Sequence, residues 1–211
     1  MKKATLFSTL FLAAILFSAQ AQRADVTSFS TTANDYDSNV EVLNVEMVVP
    51  EVIVIDLEDG TGQEINQLQF DFRKMTAELE AGQINFDEIV SDPIYLQYTS
   101  IVTDNTSDRN KIDVSFAGNI PAGVDLVLNV DPSFQNAPSN SGTPGTIRLS
   151  SMAFNATNTT ATLVDDIASV FTGSGAQNGI LMNYSLQQNG SFTDFEAGTY
   201  NSTITYTMSN M

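Results

Sequence analysis

The sequence predicts an all-β protein, an antiparallel β-sandwich with at most one short helix. Three observations carry that prediction. Apolar residues recur at every second position in stretch after stretch, the spacing that puts one face of a strand on a core. Clusters of Gly, Pro, Asn, Asp and Ser separate those stretches. Helix formers follow one another in only one place, Arg73 to Ala81. Many short strands with turns between them fit two packed antiparallel sheets.

Taken in order, Leu43, Val45, Met47 and Val49 alternate until Pro50 breaks the run, and Val52 to Ile55 are apolar on both faces. A break followed by β-branched residues predicts a strand that bends or changes sheet and enters the core. Asp56 to Gln63 reads as a turn from its Asp-Gly content. Leu68, Phe70 and Phe72 resume the alternation, and Arg73 to Ala81 is the one short helix or turn. Pro93 to Thr103 is rich in β formers, and Ile112, Val114 and Phe116 face one way. Across Ile-Pro-Ala-Gly they are followed by Val124, Leu126, Leu128 and Val130, which predicts a hairpin. Asp131 to Thr146 offers little to bury and is expected to be a long exposed loop, or a boundary between two halves. Ile180, Met182, Tyr184 and Leu186 form another face, and the chain closes on Ile204, Tyr206 and Met208, with Tyr200 and Ser202 in the same phase. The stretches around Tyr184 and Tyr206 look like neighbouring core strands.

The start of the chain predicts its address. Lys2 and Lys3, an apolar run from Leu6 to Phe17, and Ala19-Gln20-Ala21 read as a signal peptide over 1–21, with a mature start at Gln22. Residues 22–39 read as a flexible polar arm and 40–211 as a single sandwich domain. No later stretch is apolar enough to span a bilayer, so the mature chain is expected to lack a transmembrane segment.

Composition excludes much chemistry. The chain has no His and no Cys, which removes Ser-His-Asp and Cys-His catalysis and zinc held by either residue. No phosphate-cradling Gly loop or dinucleotide fingerprint is present. Paired carboxylates suffice for glycoside hydrolysis, but nothing places two across a cleft, and Trp is absent. The sequence therefore points away from an enzyme, with no catalytic and no cofactor-binding residues. Beyond the leader, six basic residues stand against 25 acidic ones, a net charge of −19. That charge disfavours nucleic acid as a partner. Calcium is the one ion that the oxygen ligands allow. Asp56, Glu58, Asp59 and Glu64 crowd one Gly-containing turn, and Asn34, Asp35, Asp37 and Asn39 crowd another segment. The spacing around Gly60 fails an EF-hand loop, and a solvated turn is the plainer reading of either cluster.

The ending "AGTYNSTITYTMSNM" carries a resemblance. A glycine, Gly198, leads an alternating strand through Tyr200, Ile204, Tyr206 and Met208. This resembles the closing strand of chaperone–usher pilus subunits and of spore-coat-U-like secreted domains. The layout of Val45 to Leu57 and Ile65 to Phe70 is similar to the opening strands of that group. Asn210 stands where those subunits carry an aromatic, and their common cysteine is missing. A second resemblance is to the WxL cell-wall-binding domain, with Tyr206-Thr207-Met208 in place of Trp-x-Leu. The leader resembles that of a Gram-negative, Bacteroidota-like exporter.

The resemblance implies an Ig-like or pilin-like sandwich, exported to the periplasm, the cell surface or the medium. Such a protein is a non-catalytic structural or interaction subunit, assembling with other appendage subunits or with itself by strand pairing. Gly198, Tyr200, Ile204, Tyr206 and Met208 are then the strand-pairing residues. The alternative is an extracellular sugar- or calcium-binding module, with Tyr36, Phe134, Phe192 and Phe195 as candidate contacts.

Overall fold

A computed structural model describes residues 43–72, 79–80, 83–86 and 89–211. The leader, the polar arm with its Asn34–Asn39 cluster and Tyr36, and most of the expected helix lie outside the described residues. The chain divides into two units, Met1–Glu46 and Met47–Met211. All the sheet structure described below belongs to the second. In the first, residues 43–46 carry no regular structure.

The strands are β1 (Val52–Asp59), β2 (Leu79–Glu80), β3 (Gln83–Ile84), β4 (Ile94–Ile101), β5 (Asn110–Gly118) and β6 (Val124–Gln135). Then come β7 (Thr146–Ile147), β8 (Ser151–Phe154), β9 (Thr160–Ile167), β10 (Val170–Phe171), β11 (Gly179–Gln188) and β12 (Ser202–Asn210). The protein is all-β, with two antiparallel sheets packed on each other. The larger sheet runs β1-β4-β11-β6-β8, with β10 also paired to β4, and the smaller runs β12-β5-β9-β7. A two-stranded ribbon, β2-β3, stands apart from both. Leu79 and Glu80 thus pair with Ile84 and Gln83 where the end of a helix was expected.

The core fills the space between the sheets, and the period-two pattern built it. Ile112, Val114 and Phe116 of β5 face Leu126 and Leu128 of β6, Met182 and Tyr184 of β11, and Phe154 of β8. Phe116 stacks on Phe154 at 5.5 Å between centroids, one ring from each sheet. Fully burying side chains of this size contributes about 1.5–3 kcal/mol each. With no disulfide present, that burial is what holds the sheets together.

Several expectations change. β5 and β6 do not form a hairpin: β5 pairs with β12 and β9, β6 with β11 and β8, so the chain crosses from one sheet to the other through Ile120–Gly123. Alternation fixes which face a residue presents, and two strands facing each other across a core share the same signature as two paired side by side. The stretches around Tyr184 and Tyr206 likewise face each other across the core as β11 and β12.

The loop expected from Asp131 begins later, because β6 runs on to Gln135. Pro132 is accommodated there because it lies in a bulge of β6: Ile180 pairs with Phe134 and Met182 with Val130, so residues 131–133 stand against Leu181 alone. Val52 to Ile55 do not enter the core as a central strand either. β1 is an edge of the larger sheet, with Ile53 44% and Val54 55% exposed, while Ile55 and Leu57 pack on the core. It also runs through Asp59, so the expected turn starts four residues late. Leu68 and Phe70 lie outside any strand.

Candidate strand-pairing edge

β12 terminates the smaller sheet. It pairs with β5 in unbroken register from Ser202–Gly118 to Asn210–Asn110, and among the described residues no strand pairs with its other side. Ile204 and Tyr206 are half-buried and Met208 is buried, while Thr203, Thr205 and Thr207 are exposed on the opposite face. The predicted alternation of this strand is present. Its start is later than expected: Gly198 and Tyr200 precede the strand, and the Tyr200 hydroxyl donates to the Glu196 carbonyl at 3.0 Å.

The glycine that the strand needs is Gly118, opposite its first residue. Gly118 has φ +123°, and a Cβ there would stand 2.5 Å from the Asn201 carbonyl oxygen and 2.7 Å from Ser202 Cα. Gly198 has neither a left-handed backbone nor so close a neighbour. Sequence reading missed Gly118 because only the pairing of β5 with β12 makes its missing side chain matter.

Of the residues named for strand pairing, Ile204, Tyr206 and Met208 pack on the protein's own core, while Tyr200 is exposed. Tyr206 reaches across the sandwich, its hydroxyl 2.5 Å from that of Tyr184 and 3.7 Å from Met182 Sδ. Burial pushes the Tyr184 hydroxyl up to about 12, and burial with the neighbouring Tyr184 raises Tyr206 well above the ordinary tyrosine range. Both are neutral hydrogen-bonding groups at any physiological pH. What the edge offers a partner is main chain.

Main-chain polarity along β12 follows from its two ends. Asn119 N–H bonds the Asn201 carbonyl at 3.0 Å and Met211 N–H bonds the Arg109 carbonyl at 2.9 Å. Odd-numbered residues therefore point their N–H and C=O groups at β5. Ser202, Ile204, Tyr206, Met208 and Asn210 point theirs at the open side.

Natural edge strands are blunted by Lys, Pro, bulges or short length. β12 has nine residues, no charged side chain, no Pro and no register shift. The nearest charges on β5, Lys111 and Asp113, neutralise each other at 2.7 Å. β1 runs beside β12 in the facing sheet. At that corner a cleft of about 330 Å³ opens between the start of β1 and the end of β12, lined by Glu51, Ile53, Arg109, Asn110, Asn210 and Met211. Asn110 is buried there; its Nδ2 donates to Ser100 Oγ at 2.9 Å, and its Oδ1 has no partner.

The acidic turn is not a gathered site. Asp59 Oδ1 accepts from Thr61 N–H at 2.8 Å, Thr61 Oγ1 at 2.6 Å and Gln63 N–H at 3.0 Å, which holds its carboxyl below the usual range. Glu58 accepts from Gln97 Nε2 at 2.8 Å, and Asp56 accepts from the N–H of Leu57. Glu64 bridges to Glu58 through the main chain. Among the described residues, no group of three or more His, Cys, Asp or Glu comes together to hold a metal ion, and no helix is long and apolar enough to cross a membrane.

The candidate contact aromatics divide. Phe134 packs on Tyr98, and Phe195 packs on Phe72 and Phe86, while Phe192 stacks on Phe195 and is 51% exposed. Leu43, Val45, Met47, Val48 and Val49 were expected in a strand, yet they lie outside any sheet and are 71–86% exposed. The chain matches no protein-family model, no curated protein and no solved structure.

Proposed function

We propose that this protein is an exported, non-catalytic structural or interaction subunit of the cell surface, which assembles by pairing strands at the open edge of β12. The observation that carries the reading is the edge itself: nine uncharged residues whose outer side no strand pairs among the described residues, in a chain of net charge −17 over its full length. An extended partner laid there gains main-chain hydrogen bonds, and alternate side-chain positions select it. The absence of His and Cys from the whole chain fits a subunit whose work is contact. The basic-then-apolar leader supports export.

Two measurements test this together. Intact cells are treated with protease, and the purified exported chain is sized by chromatography with light scattering. The reading expects the protein to be digested from outside and to form complexes larger than a monomer. A protein shielded from protease in intact cells and monomeric at every concentration would overturn it.

A further inference from the structure

The strand Ser202–Asn210 reads "STITYTMSN", and its chemistry is nearly the same in both directions. About Tyr206, Thr205 matches Thr207, Ile204 matches Met208, Thr203 matches Ser209 and Ser202 matches Asn210. We infer that the occupant of the β12 edge is β12 of a second copy, antiparallel, with a two-fold axis at Tyr206. This rests on the strand-pairing reading above and names the partner.

Three features of the strand support that register. A two-fold axis through an antiparallel ladder passes through a residue pair of one kind, hydrogen-bonded or not. Tyr206 is among the residues whose N–H and C=O face the open side, so a pair centred on it is a hydrogen-bonded pair. Ile204 with Met208, and Ser202 with Asn210, then fall into hydrogen-bonded pairs as well, giving about ten main-chain hydrogen bonds, two per pair. No outward-pointing group between the two ends of the strand is left over.

Side chains agree with the main chain. On the core face, Ile204 meets Met208 and Tyr206 meets its own copy, so each sandwich core continues into the next. On the outer face, Thr205 meets Thr207 and Thr203 meets Ser209, cross-strand pairs that stabilise antiparallel sheets. Charge selects the same place. Two copies of a strongly acidic chain repel over most approaches, but β12 brings no like charge against like. Ile53, 44% exposed in the cleft beside Asn210 and Met211, adds apolar surface at the same corner. The result is a closed, isologous pair in which two four-stranded sheets become one of eight strands.

The symmetry supplies its own test. Thr205 and Thr207 are exposed on the outer face, and each faces the other's partner copy across the proposed axis. In Thr205→Lys/Thr207→Lys, Lys meets Lys twice. In Thr205→Lys/Thr207→Glu, Lys meets Glu twice. Light scattering and sedimentation at low salt are run on the exported chain and on both variants, with thermal melts to confirm that all three fold. The inference expects a dimer for the parent, a dissociation constant raised about tenfold or more in the Lys/Lys variant, and a dimer retained in the Lys/Glu variant.

Equal loss in both variants would overturn the two-fold pair while keeping the edge as the docking place. The exposed run Leu43–Val49 of a neighbour would then become the occupant to pursue. Association unchanged by either variant, or a parent that is monomeric throughout, would overturn both this inference and the strand-pairing function.

Discussion

Replacing Tyr206 by Phe removes one oxygen from the middle of the sandwich and leaves the ring in place. The Tyr184 hydroxyl, 2.5 Å away in the native protein, then has no partner in a buried site. A buried polar group without a partner costs about 1–3 kcal/mol, and Tyr206→Phe is expected in that range. Tyr184→Phe should cost less, because the Tyr206 hydroxyl keeps Met182 Sδ at 3.7 Å. The double variant removes both oxygens and leaves nothing unsatisfied, so it should be no less stable than Tyr206→Phe alone. Urea unfolding of the four proteins closes a double-mutant cycle whose coupling is the difference between that result and the sum of the singles. If the double variant costs the full sum, the two hydroxyls act independently and the inter-sheet clasp is refuted.

The same pair predicts a pH dependence. Burial holds the Tyr184 hydroxyl neutral up to about 12, above its ordinary value of 10.0. In the unfolded chain it loses its proton near pH 10. The stabilisation is fully present below that pH and is lost between there and about 12, as the unfolded state releases protons first. Tyr184→Phe should flatten the alkaline limb of a stability–pH curve.

Elsewhere in the molecule, Leu128→Ala, at a fully buried position of β6, should cost about 2–5 kcal/mol by urea unfolding. Gly118→Ala forces a side chain into φ +123° and against the Asn201 carbonyl, and should lower the melting temperature by more than replacement of the exposed Gly198 by Ala does. Asp59→Ala removes the three hydrogen bonds that close the turn after β1. Because the Thr61 hydroxyl and its neighbours depress the Asp59 pKa, its contribution is present above the unfolded value of about 4. It fades as pH falls through the lower folded value. The difference in melting temperature between the parent and Asp59→Ala should therefore shrink in acid, and a difference constant from pH 7 to pH 2 would contradict that assignment.

Much of the core was legible because strand faces are written locally. Ile112, Val114 and Phe116, or Ile180, Met182 and Tyr184, alternate in plain view and point inward as read. Partners are written nowhere locally. The β5 and β6 stretches sit either side of a four-residue turn and still belong to different sheets. Gly118 matters only once Ser202 arrives opposite it, and the stretches around Tyr184 and Tyr206, read as neighbours, carry no local sign that they meet across the core and not within one sheet. Asp131 and Pro132 read as the start of a loop because the irregularity that carries them in β6, residues 131–133 against Leu181 alone, shows only in the register with β11. The alternating run Leu43–Val49 shows the reverse: a strand pattern states what a segment can do, and pairing depends on an edge being there to receive it. Of the strand-pairing candidates, Ile204, Tyr206 and Met208 were found as a face. The outward main-chain polarity that makes β12 an edge came from its register with β5.

That register also has a kinetic consequence. Ile204 pairs with Phe116, and Met208 with Ile112, so the smaller sheet waits on a strand made long after its partner. β4 likewise meets β11 only after the intervening strands exist. Such ladders require long loops to close before any contact repays them, and all-β domains of this kind fold in milliseconds to seconds. Until β12 is made, β5 has no partner on that side and the core face beneath Tyr184 lies open. The interval before β12 docks is when a stray strand can take its place.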